Sequence, residues 1–511
     1  MPPIPIGFIS SVKGLDAEVE INSALPKLTF PQGDTVYRVG ELGAYVTIPL
    51  ETESLIGVVY ETTKLSGTSF KQAFFKLHLV GTLQQQVFRK DFSRSPLLED
   101  QVMAASPEEV AAIFTSASRQ GTVTLGHLSQ WAHIPYRTDL NKLLARHLAI
   151  VGNTGSGKST TVATLIRHLL NEYAHPHIVV FDVHGEYGQM VHPLLKQVTP
   201  DQLKVPHWLL KFSQWQDLLT LTPPHVKSLD ALKTTLMDLR MKFNPEYDRA
   251  KLTVDTPLYF RMMELLTHPK VTNDDFLNER LNSLYRDARY DPILKAEFDT
   301  LAGFADSVMD PAVGCTVLNL SHLVSELLIP IVEIFSTLFY ELSFWNLERD
   351  FPLVLIYEEG HRYLNDAESS ASSRKRIESL VKEGRKYGIA VVIVSQRPSD
   401  ISETILAQCN NCVAHRLTTD RDQSFVKDLL PRNMWGLADL LPSLAKGEAL
   451  MAGDAVPLPA RVQIVMEEAL PSTECDLDTQ WRQGPREDFS IGTAADNWIN
   501  QKFEWRPRLK D

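Results

Sequence analysis

Cysteine is scarce in this 511-residue chain: Cys315, Cys409, Cys412 and Cys475 are the only four. So few exclude a disulfide framework and fit a reducing compartment. Cys409 and Cys412 have the spacing of a metal-binding pair. No second pair accompanies them, which speaks against zinc, and we read them as structural. Positive charge is also short: 51 Lys and Arg face 63 Asp and Glu, a formal net charge of −12. That excludes a surface that coats nucleic acid generally. A local basic lining stays open, because binding depends on where the charge sits. No uninterrupted apolar run reaches the length of a membrane span. The longest candidate, Leu327 to Tyr340, carries Glu333 and is interrupted by Pro330, Ser336 and Thr337, so it reads as a buried helix. The start, Met-Pro-Pro-Ile-Pro-Ile, lacks the basic segment and apolar stretch of a secretory signal. Fixed-period repeats and long low-complexity segments are missing too, which argues against a solenoid or an array. A cytoplasmic protein with no membrane segment is the expectation.

What is present is enough for a large core. Apolar residues make up 44% and charged residues 22%, so global disorder is excluded and more than one domain is expected. Residues 1–90 hold short alternating stretches: Ala17 to Ile21, Tyr45 to Leu50, Leu55 to Thr62 and Phe74 to Val80. They predict a small all-β domain, a barrel. Residues 91–140 read as a linking region, returning to strand near Val123 to Gly126. From about 141 to 470 the pattern is β-loop-α, which predicts an α/β core with a parallel sheet. Within it, residues 200–310 carry leucines at helical spacing, such as Leu229, Leu232, Leu236 and Leu239, and predict a helical insertion. Residues 471–511 read as an extended tail, polar and acidic until Trp498, Phe503, Trp505 and Arg506, with the three aromatics as hydrophobic anchors.

The most informative segment is Leu-Ala-Ile-Val-Gly-Asn-Thr-Gly-Ser-Gly-Lys-Ser-Thr, residues 148–160. It is an apolar strand, a phosphate-binding loop and the start of a helix. Gly152, Asn153, Thr154, Gly155, Ser156 and Gly157 turn backbone N–H groups toward phosphate. Lys158 reaches the β- and γ-phosphates, and the Ser159 hydroxyl suits Mg²⁺. Thr160 opens the helix whose N-terminal dipole favours the anion. ATP and Mg²⁺ are the cofactors this implies.

Partners for the loop follow other apolar runs. Leu353 to Ile356 leads into Tyr357-Glu358-Glu359-Gly-His361, two carboxylates at a strand end. Glu358 can hold Mg²⁺, and Glu359 can orient the attacking water. A solvated strand end would give the same sequence, but the phosphate loop upstream favours the chemical reading. Gln396 follows the strand Val391 to Val394 and can sense the γ-phosphate. Asp182 and Glu186, after Ile178 to Phe181, are further carboxylates placed near such a site.

Five segments in this order resemble the HerA ATPases of the HerA–FtsK group. They are Ala149 to Ser159, Asp182-Val-His-Gly-Glu-Tyr187, Glu358-Glu-Gly-His-Arg-Tyr363, Glu383-Gly-Arg-Lys-Tyr-Gly388 and Ser395-Gln-Arg-Pro398. Departures are Glu358 where Asp is commoner and Gly360 where Ala is frequent. The resemblance implies a RecA-like P-loop core and a small barrel at the start. It also implies a ring of six subunits that moves duplex DNA, independent of sequence, through a central pore. ATP would sit between subunits, with an arginine donated in trans: Arg385, or else Arg146 before the phosphate-loop strand. Arg374, Lys375 and Arg376 are candidate DNA contacts, with a solvated helix start as the alternative. The tail would brace a neighbouring subunit. A nuclease of NurA type, or a defence effector, is the implied partner. We find no second catalytic constellation, so nuclease activity would belong to that partner. The expected activity is ATP-driven DNA translocation or unwinding, in DNA end processing or anti-phage defence. A ring scaffold whose ATPase regulates an effector is the alternative, and a small-molecule kinase fits the motifs less well.

Overall fold

The computed structural model describes residues 4–21, 28–32, 35–64, 73–92, 94–115, 121–220, 225–365, 371–465, 477–484 and 490–500. The chain divides into two compact units. The first takes in residues 1–168 and 390–469, the second 169–389 and 470–511.

The first unit opens with a seven-stranded antiparallel sheet. Its order runs Asp16–Ile21, Ile4–Lys13, Gln101–Ala104, Tyr45–Pro49, Ser54–Lys64, Ala73–Gln84, Val87–Arg89. Asp16–Ile21 also pairs with Ala73–Gln84, and that closes the barrel. Closure leaves only the short strand Val87–Arg89 outside the ring of six and points alternate side chains inward. Val19, Ile21, Val46, Ile48, Phe75, Leu77 and Val102 fill the interior. Gln101–Ala104 sits between Ile4–Lys13 and Tyr45–Pro49. It lies beyond residue 90, outside the stretch read as the barrel, and a four-residue strand carries too little alternation to stand out in a sequence.

The same unit holds a second group of strands. Leu148–Val151, buried at every position, pairs in parallel with Ile389–Ser395 on one side and Asn411–Ala414 on the other. Such burial on both faces explains the unbroken apolar run. Beyond Asn411–Ala414 the pairing turns antiparallel, through Glu448–Gly453 and Ala460–Ile464 to Thr122–Leu128 and Trp131–Asp139. Helix Lys158–Glu172 follows the phosphate loop.

In the second unit four parallel strands run in the order Leu353–Tyr357, Ile178–Asp182, Cys315–Asn319, Leu195–Val198. Every described element from 200 to 310 is helical, Val226–Phe243 being the longest. Helix Ser325–Trp345 is long and apolar enough to cross a membrane, yet most of its apolar stretch is buried. It is a core helix. Its Glu333 is buried and satisfied by Lys211 at 2.7 Å, Gln214 at 2.8 Å and Ser372 at 2.5 Å. A buried carboxylate persists only when paired in this way.

Candidate nucleotide site

The phosphate loop is built by backbone conformations that side chains resist. Gly152, Gly155 and Gly157 have φ of +156°, +71° and +125°. A Cβ on Gly152 would lie 2.6 Å from the His415 Cβ, and one on Gly157 would lie 3.0 Å from the Gly447 Cα. At Gly155 nothing lies within 4 Å, so that part of the loop opens outward. The loop is pinned by Gly152 N–H to Ser395 O at 3.2 Å, Asn153 N–H to Arg416 O at 2.8 Å and Gly447 N–H to Ser156 O at 2.8 Å. Lys158 is buried, and its Nζ donates to Asn153 O at 3.2 Å. This bond arches the ammonium over a loop of backbone donors, an arrangement that fits polyphosphate. Thr154 Oγ1 donates to Gln396 Oε1 at 2.6 Å. The glutamine read as a phosphate sensor therefore touches the loop directly.

Beneath the loop lies a histidine that we did not single out from the sequence. His415 is fully buried. Its Nδ1 is 3.0 Å from Glu448 O, which can only accept, so Nδ1 carries the proton. Nε2 then accepts from the Thr161 hydroxyl at 2.8 Å. Burial, aided by nearby Lys158, lowers its pKa to about 4, so the ring is neutral. His415 thus supports the loop without repelling the lysine. The available signal was its place, directly after the strand Asn411–Ala414 that flanks Leu148–Val151. We expect His415→Ala to weaken ATP binding about tenfold, the cost of a cavity beneath the loop, while the Thr161 hydroxyl keeps its bond to Gly157 O at 3.1 Å. Titration with a fluorescent ATP analogue will measure it, and unchanged affinity would remove His415 from the support of the loop.

The acidic strand end belongs to the second unit. Glu358 and Glu359 are both buried. The Tyr187 hydroxyl donates to Glu358 Oε1, and the Tyr363 hydroxyl donates to Glu358 O at 2.6 Å. Glu359 has φ of +48°, a left-handed conformation that glutamate rarely adopts. Its carboxylate lies 3.1 Å from His361 Nδ1 and 4.0 Å from His184 Nε2. Asp182 is fully buried and accepts from the N–H groups of Glu186 and Tyr187, each at 3.1 Å. Burial raises its pKa to about 7. Its immediate role is to shape the loop that follows its strand. Among the described residues no group of three or more His, Cys, Asp or Glu forms a metal cage. Magnesium needs no such cage, because it usually takes one or two protein oxygens and completes its shell with phosphate and water.

The two candidate arginines differ. Arg146 is ion-paired with Asp454, whose pKa is lowered by hydrogen bonding from Asn410 and then by Arg146. Arg385, on the turn Gly384–Tyr387, is exposed. The candidate DNA contacts lie on helix Ala371–Glu383. Arg374 donates to Asn365 O at 2.9 Å, and Arg376 lies 3.6 Å from Glu341 and over the Tyr340 ring. Lys375 is exposed. Residues 366–370 of the preceding segment, and Cys475, Phe503, Trp505 and Arg506, lie outside the described residues. Cys409 and Cys412 are buried free thiols, and burial pushes the Cys409 pKa up to about 12.

Known protein families match most of the chain. Residues 123–309 match the family described as "Helicase HerA, central domain", and residues 323–499 match "Helicase HerA-like C-terminal". The chain is 28% identical over 414 residues to a DNA double-strand break repair helicase HerA of Sulfolobus acidocaldarius, covering 78% of this chain and 80% of that protein. A protein of the same description from Pyrococcus furiosus is 25% identical over 384 residues, 67% of this chain and 69% of its own length. Among solved structures, VirB4 of Thermoanaerobacter pseudethanolicus superposes with a TM-score of 0.50 at 14% identity, over 69% of this chain and 98% of that one. That likeness is one of fold.

Proposed function

The chain belongs to the HerA helicase family, and from that premise we propose that it hydrolyses ATP to move along DNA. The observation that carries the reading is the preformed phosphate loop, with Lys158 arched over backbone donors and Gln396 bonded to Thr154. Lys158 neutralises the β- and γ-phosphates, with Gly152 to Thr160 cradling them. Ser159 and Glu358 are the protein oxygens for magnesium, which supplies Lewis-acid charge when bound with ATP. Glu359 orients the attacking water. Gln396 reports whether the γ-phosphate is intact.

Arg385 completes the site of a neighbouring subunit. Both candidate arginines precede their strands, and in a parallel sheet the nucleotide loops follow the strands. Neither arginine therefore serves the loop of its own strand. Of the two, Arg385 is exposed and Arg146 is engaged by Asp454. A trans role requires a ring, and we assign a homohexamer. Residues 471–511 brace the neighbour. Trp481, Ile491, Trp498 and Ile499 of the short helices there are 79%, 74%, 83% and 75% exposed, apolar surface that a second copy would cover.

The substrate is duplex DNA without sequence preference, met through phosphates by groups such as Lys375, with Arg374 and Arg376 as neighbours. A nuclease of NurA type or a defence effector acts on the DNA that the ring delivers, in cytoplasmic end processing or anti-phage defence. The test is ATP hydrolysis with and without duplex DNA. Stimulation by DNA is expected, together with loss of ATP binding and turnover in Lys158→Ala. Hydrolysis that ignores DNA while a small molecule becomes phosphorylated would replace this reading with a kinase.

A further inference from the structure

Within the second unit, the loop after strand Ile178–Asp182 is fastened at both backbone groups of Tyr187. The Tyr187 N–H donates to Asp182 Oδ2 at 3.1 Å, and its C=O accepts from Gln197 Nε2 at 2.8 Å. The ring is fully buried, and its hydroxyl donates to Glu358 Oε1. Tyr363, equally buried, donates to the main-chain oxygen of the same glutamate at 2.6 Å. One phenol holds the Glu358 side chain and another holds its backbone. The loop geometry therefore serves to deliver a hydroxyl to a single carboxylate.

We propose that Tyr187 is a positioning residue for the metal side of the ATP site, locking the Glu358 carboxylate in one rotamer for magnesium–ATP. This rests on the ATPase reading above. The chemistry follows from chain length. Glutamate has one more rotatable bond than aspartate. A longer arm gives up more freedom when it engages a hydrated metal. A buried hydroxyl donor fixes it beforehand. Partners that orient metal ligands are worth roughly 10–100-fold in metal affinity or activity. Asp182 acts one step further out, because it fixes the backbone that carries the phenol.

Tyr187→Phe removes the hydroxyl and keeps the ring. The measurement is binding of a fluorescent ATP analogue to the full chain as magnesium is titrated, with a metal-free reference in chelator. The metal-free affinity should match the parent. The magnesium concentration for half-maximal enhancement should rise about 10–100-fold. The same substitution in a Glu358→Gln background should add little, because the hydroxyl acts through that carboxylate. A variant that titrates like the parent would overturn the assignment. So would a shift that persists in full beside Glu358→Gln, which would mark a general packing effect. A parent protein that binds no nucleotide at all would overturn the ATPase reading and this assignment together, whereas the first two results remove Tyr187 alone.

Discussion

Glu359→Gln will bind ATP and almost cease to turn it over. An amide keeps the size of the side chain and loses the negative charge that polarises water. General-base assistance of this kind contributes about 10²–10⁴ in rate. The structure gives reasons to choose this acid over its neighbour. Glu359 stands at φ of +48° beside His361 at 3.1 Å. A non-glycine residue in that region costs on the order of 1–3 kcal/mol, and such strain gathers at functional sites. Glu358 instead has its side chain and backbone each held by a tyrosine hydroxyl, which suits a fixed ligand. Single-turnover hydrolysis and ATP binding, measured on both variants, decide the matter. If Glu359→Gln hydrolyses normally and Glu358→Gln does not, the two roles are exchanged.

The Arg385→Ala protein should fold, bind ATP and be nearly inactive. A guanidinium inserted across an interface stabilises charge on the transferred phosphoryl oxygens, worth about 10³–10⁵ in well-studied P-loop enzymes. Lys158→Ala subunits should be inactive for the opposite reason, lacking the loop lysine. Mixing the two restores some hydrolysis, because an interface that takes Lys158 from one chain and Arg385 from the other is whole again. ATPase rate across mixing ratios is the measurement, with mass photometry to count subunits and confirm mixed rings. Full activity of Arg385→Ala alone would pass the role to Arg146. A fully active monomer would remove the ring.

How much of this was legible beforehand depends on which signals are local. The strand Leu148–Val151 and its loop were plain, because burial on both faces demands four apolar residues and tight turning demands the glycines. Strands Leu353–Tyr357, Ile178–Asp182 and Ile389–Ser395 were found for the same reason. Antiparallel strands Glu448–Gly453 and Ala460–Ile464 were overlooked, since Ala, Gly, Glu and Gln dilute their pattern. Gln101–Ala104 was too short to show. In the site, the charged residues were read and their supports were not. His415, Tyr187 and Thr161 act through hydrogen bonds to partners far along the chain, and no spacing encodes such bonds. The helical start Ala371–Glu383 looked free for DNA, yet Arg374 and Arg376 find partners on Asn365 and Glu341, which only folding brings near.

Leu148 pairs with Val392 on one side and with Asn411 on the other. Both neighbours of the phosphate-loop strand are therefore synthesised long after it. A nascent chain that has emerged only through the helical insertion carries the loop with no strand on either flank. Pairings so distant in sequence pay a large loop-closure cost before they repay it, which makes for slow assembly. Until then the apolar run from Leu148 to Val151 lacks the two strands that bury it. Co-translational pulse proteolysis would locate the moment of protection at the emergence of residues 411–414 rather than at the loop itself.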